Sequence, residues 1–100
     1  MTSTILKIEE QLNLIESELK QIGFWNKKLK TLPDPHTFEH WLQFVFIPNA
    51  REAVKTRNFP KESNVGLAAM RQYDYHSFVP EAQNLLKLLY EFDKLINSLT

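Results

Sequence analysis

One hundred residues, 43% of them hydrophobic, suffice for one domain with its own core. No cysteine occurs, which excludes a disulfide framework and a thiolate metal site. Twelve basic and twelve acidic groups cancel, which excludes a strongly basic nucleic-acid binder. The charge is nevertheless uneven. Residues 1–19 carry one lysine and four glutamates, residues 20–71 nine basic and four acidic groups, and residues 72–100 two lysines and four acids. The plainer reading is that acidic terminal helices neutralise a basic middle. The sharper one is an anion-facing surface on that middle segment.

The first predicted element is the most regular. Ile5, Ile8, Leu12, Ile15, Leu19 and Ile22 recur at alternating spacings of three and four, a single helical stripe. Ser3 or Thr4 can cap its start and Gly23 sits just past its end. Glu16 and Lys20 form an i,i+4 pair. The same stripe reads as three heptads, so a homodimeric coiled coil is the alternative to packing within one chain. The stretch 23-GFWNKKLKTLPDPHT-37 is a connector, rich in turn formers. Phe24 and Trp25 are expected to fold back on the core, leaving Lys27, Lys28 and Lys30 on exposed loop.

A second helix follows, with Phe38, Trp41, Leu42 and Val45 on its buried stripe, continued by Ala50, Ala53 and Val54. Pro48 lies inside that pattern. It has no N–H for the carbonyl of Phe44 and its ring crowds that turn, so the helix is expected to kink or break there. Phe44 and Phe46 fall off the stripe, which suggests a helix surrounded by others. A turn at 58-NFPKESN-64 leads to a short helix over 64–73, capped by Ser63 or Asn64. The last helix starts near Pro80 and buries Val79, Ala82, Leu85, Leu86, Leu89, Phe92, Ile96 and Leu99. The reading is an all-α, compact bundle of four to five helices, a single domain over residues 1–100.

The longest apolar block, 41-WLQFVFI-47, is far too short for a bilayer. The N-terminal residues show no basic, apolar and cleavable signal pattern. A cytoplasmic protein without a membrane segment is expected.

Catalytic chemistry finds little to stand on. His36, Glu39 and His40 suggest a metal site only loosely, because the spacing is H-T-F-E-H and lacks the adjacent His-Glu of a zinc-protease helix. Ser3, Ser63, Ser77 and Ser98 sit at helix ends and tails, and two glycines cannot make a phosphate-binding loop. No catalytic residue, metal or cofactor is assigned, and an enzyme is not expected. Two binding surfaces are. A protein partner would be met by Trp41, Gln43, Phe44, Pro48 and Arg51, where rings and an arginine offer interface anchors. Weak RNA binding would use Lys27, Lys28, Lys30, Lys55 and Arg57, cations enough for a few phosphate contacts but without a recognised motif.

The block W-L-Q-F-V-F-I-P at 41–48 resembles the YqcC-like family of small bacterial proteins. The Phe24–Trp25 pair, the Phe38 lead-in, Pro60, the small-residue helix ending in Tyr73 and L-Y-E-F-D at 89–93 extend the resemblance over most of the chain. Two departures stand out. Asn49 and Ala50 follow the proline where the family has Arg-Met, and residues 61–63 replace a more apolar turn. The resemblance implies an all-α protein of unknown biochemical function, associated by label and gene neighbourhood with tRNA pseudouridine synthase C. That synthase needs a mixed α/β catalytic domain with an aspartate nucleophile, which one hundred helical residues cannot build. The resemblance therefore implies an accessory role, with a tRNA-modifying enzyme as one expected partner.

Overall fold

The computed structural model describes residues 2–25, 38–75 and 79–99, with side chains for residues 4–25, 38–73 and 79–99. Lys27, Lys28, Lys30 and His36 lie outside these residues, as does most of the 23–37 connector. The described chain is helical, with no strand. α1 is Thr2–Gln21, α2 is Phe38–Trp41, α3 is Ile47–Thr56, α4 is Val65–Met70 and α5 is Gln83–Asn97. α2 and α3 are joined without a gap by a π-helical turn, Leu42–Phe46. A second π turn, Arg71–Tyr75, extends α4, and a 3₁₀ turn, Pro80–Ala82, opens α5. Among the described residues no helix is long and apolar enough to cross a membrane.

α1 ends as its sequence dictates. Gly23 takes a left-handed φ of 82°, the Phe24 N–H donates to the Leu19 carbonyl at 2.9 Å, and the Gly23 N–H donates to Lys20 at 3.3 Å. These two bonds make a Schellman stop. The predicted stripe is buried: Ile8, Leu12, Ile15 and Leu19 are fully enclosed, with Ile5 and Ile22 at the ends partly so. Opposite them lie Leu85, Leu89, Phe92 and Ile96 of α5. Enclosing each such aliphatic side chain contributes about 1.5–3 kcal/mol. α1 and α5 hold seven of the eight largest fully buried side chains, so this pair is the centre of the fold. The aromatic second helix lies against it, with Leu42, Ile47 and Val54 inward.

The buried face of that helix differs from the one predicted. Trp41 is 38% exposed and Val45 41%, whereas Leu42 and Ile47 are buried. The reason is the π turn. The Ile47 N–H reaches back five residues to the Leu42 carbonyl, so one extra residue is accommodated and Leu42 and Ile47 share a face. The backbone stays helical across the proline's approach, with Phe46 at φ −63°, ψ −56° and Ile47 at φ −62°, ψ −48°.

α4 starts in an unexpected way. Asn64 is its N-cap residue, yet the Asn64 side chain makes no capping bond. Asp93 of α5 supplies the cap. Its Oδ1 accepts from the Val65 N–H at 3.0 Å and from Ser63 Oγ at 2.5 Å, and its Oδ2 accepts from the Gly66 N–H at 2.7 Å. Asn97 holds the same loop, its Oδ1 accepting from the Ser63 N–H at 2.8 Å. Gly66 permits the close approach: a Cβ there would stand 2.8 Å from Tyr90 Cα and 2.9 Å from Asp93 Oδ2. The glycine that weakens α4 as a helix former thus lets it dock.

Candidate functional site

An open, mostly apolar groove of about 410 Å³ runs between the second helix, the 59–64 loop, α4 and α5. Ala50, Ala53 and Ala68 line it, and their small side chains leave the space. Phe92 and Ile96 of α5 reach it from the core, and Phe59 and Pro60 of the loop also line it. Trp41, Val45 and Phe46 come from the segment around the π turn. The polar lining residues are Asn49, Glu62, Ser63 and Asn64.

Rings hold the Trp41 edge in place. Trp41 stacks on Phe38 at 5.6 Å and on Phe46 at 5.8 Å, each pair 25° from parallel. Phe46 in turn meets Phe92 edge-on at 5.1 Å. On the other side Phe38 meets Tyr73 edge-on at 5.6 Å, and Tyr73 lies 5.6 Å from Phe24. Six rings thus form one continuous chain from the end of α1 to α5. Such pairs prefer these offset and edge geometries, each adding about 0.5–1.5 kcal/mol beyond area burial. The Tyr73 hydroxyl donates to Glu39 Oε2 at 2.6 Å. Burial, then the Glu39 hydrogen bond and charge, raise the Tyr73 hydroxyl well above the usual phenol value.

The five residues expected to meet a protein partner are not brought together. Trp41 lies on the groove. Gln43 is only 7% exposed and faces the interior. Phe44 is half-buried and packs edge-on with His40 at 6.1 Å, away from the groove. Pro48 is exposed but does not line the groove. Arg51 points to α1, where its guanidinium donates to Glu16 Oε1 at 3.0 Å, and Lys20 Nζ stands 3.0 Å from the other oxygen. Burial pushes the Glu16 carboxyl up, but these two cations more than offset it and leave it below the ordinary carboxylate value. Of the expected RNA contacts, Lys55 is exposed on α3. Arg57 takes a left-handed φ of 62° and its guanidinium donates to the Val54 carbonyl, closing α3.

Val45, Asn49, Ala53, Phe59, Glu62 and Asn64 line the groove, and the sequence reading assigned none of them to a binding surface. The signal that could have found the upper edge is the five-residue step from Leu42 to Ile47, which an α-helical stripe does not contain. Asp93 carried a signal too, as a lone carboxylate beside Phe92 on an otherwise apolar face. Among the described residues, no three side chains of the metal-ligating types converge.

These features define a small helical protein, without a strand among its described residues, with an apolar groove on its surface. Residues 7–95 match the family model described as tRNA pseudouridine synthase C (DUF446), and the chain belongs to that family. The match agrees with the resemblance carried by residues 41–48. No curated protein and no solved structure matches the chain.

Proposed function

We propose that this chain is a non-catalytic, cytoplasmic interaction protein that binds a segment of another protein in the groove beside the π turn. The observation that carries this reading is an apolar recess whose exposed lip, Trp41, is held between two stacked rings. Exposed aromatic anchors beside apolar recesses are where interface energy concentrates. Commitment of the reactive side chains to the fold supports an accessory role. Glu39 accepts the Tyr73 hydroxyl, Glu16 holds Lys20 and Arg51, and Asp93 accepts three hydrogen bonds. The family's label, tRNA pseudouridine synthase C, supports taking that synthase or another enzyme of tRNA modification as the partner class.

The test is a tagged pull-down from native lysate under ribonuclease, comparing the wild-type chain with Trp41→Ala. A protein retained by the wild type and lost from the folded variant is the expected result. Equal recovery by a folded Trp41→Ala chain, or recovery of RNA alone, would overturn the reading.

A further inference from the structure

The partner chemistry follows from how the two sides of the groove are fixed, given the interaction reading above. One side is the Trp41 ring, stacked between Phe38 and Phe46. The other is the loop that carries Glu62. Ser63, the next residue, is tied to α5 through its N–H, its Oγ and its carbonyl: 2.8 Å to Asn97 Oδ1, 2.5 Å to Asp93 Oδ1 and 3.3 Å from Asn97 Nδ2. The Glu62 backbone is therefore held in place, although its side chain is exposed. Glu62 is the one charged residue lining the groove among the described residues, and it makes no ion pair or hydrogen bond with them. Asn64 is in a similar position. Its capping role is taken by Asp93, which leaves its carboxamide at the groove edge without a cap bond. A stacked apolar ring and a carboxylate carried on an anchored stretch of backbone, with no ion pair among the described residues, thus line the same recess.

We infer that the groove accepts a peptide segment that pairs apolar side chains with a lysine or arginine. The apolar groups fill the recess left by Ala50, Ala53 and Ala68, and the cation meets Glu62. An acidic segment would place a like charge against Glu62 as the groove dries, which is costly. Asn64 and Asn49, each with donor and acceptor atoms, suit the peptide's backbone groups.

The experiment uses the full chain with Trp25→Phe, so that Trp41 alone reports by fluorescence. Two synthetic amphipathic peptides share the same leucines, one with lysines and one with glutamates at the polar positions. The lysine peptide should bind about tenfold more tightly or better, and Glu62→Lys should reverse the order. Glu62→Gln, which keeps the shape, should abolish the preference. Equal affinities, or a preference unmoved by Glu62→Lys, would overturn the charge assignment. If Ala53→Arg still blocks binding in that case, the groove reading stands. No binding of either peptide, or binding indifferent to Ala53→Arg, would overturn both.

Discussion

Two glycines and one tyrosine show how single positions carry different kinds of constraint. Gly23 needs its backbone freedom only, because nothing lies within 4 Å of a Cβ built there. Gly23→Ala should cost about 1 kcal/mol, the left-handed penalty of a non-glycine residue. At Gly66 the obstacle is the α5 backbone, which cannot swing aside like a side chain. Gly66→Ala should therefore cost more, about 1–3 kcal/mol or above, and weaken the Asp93 cap as well. Urea denaturation of the two variants checks the order. Tyr73 adds a pH dependence. Its hydroxyl is held neutral in the folded state, so its contribution is complete below the unfolded tyrosine value near 10.0 and declines as pH rises above it. The advantage of wild type over Tyr73→Phe should thus be constant from pH 7 to 9. Above pH 10 it should shrink by at most about 1.4 kcal/mol per pH unit. A gap that does not narrow at pH 11 would contradict this. The Gly23 role was legible beforehand, as the stop just past the first helical stripe. The roles of Gly66 and Tyr73 were not, because the α5 backbone and Glu39 that define them lie 24 to 34 positions away.

Elements were read well where one period ran unbroken. The α1 stripe and most of the α5 stripe were visible because 3.6 residues per turn hold along each of them. The second helix was misread at its surface because one turn departs from that period. The departure is directly testable. If Leu42 and Ile47 share a face, Ile47→Ala should cost about 2–5 kcal/mol, as a buried aliphatic truncation does. Val45→Ala should cost within about 0.5 kcal/mol, as surface changes usually do. Chemical denaturation midpoints decide it; the opposite ranking would restore the regular helix. The groove depends on the same turn, since Trp41 and Val45 reach it only in this register. It was hidden from the sequence because the one trace of the π turn, the five-residue step from Leu42 to Ile47, does not stand out among the neighbouring rings.

For the molecule as a whole, the α1–α5 pair decides how the chain can associate. The heptads of α1 invite a coiled coil on paper, but Ile8, Leu12, Ile15 and Leu19 have no exposed area left to offer a second chain. Leu12→Ala should lower stability by about 2–5 kcal/mol with a midpoint independent of protein concentration. A midpoint that rises with concentration would mean that the stripe pairs chains instead. The all-α reading came from patterns that extend over whole helices, so local surprises did not disturb it. Asp93 also bears on the order in which the chain can mature. α4 has only six residues, too few to persist as an isolated helix. Its stabilising carboxylate is translated some 28 residues after its first turn. During synthesis, then, this segment emerges before its support exists. The groove wall it forms can set only once α5 has left the ribosome and docked, so a nascent chain would not present a finished groove.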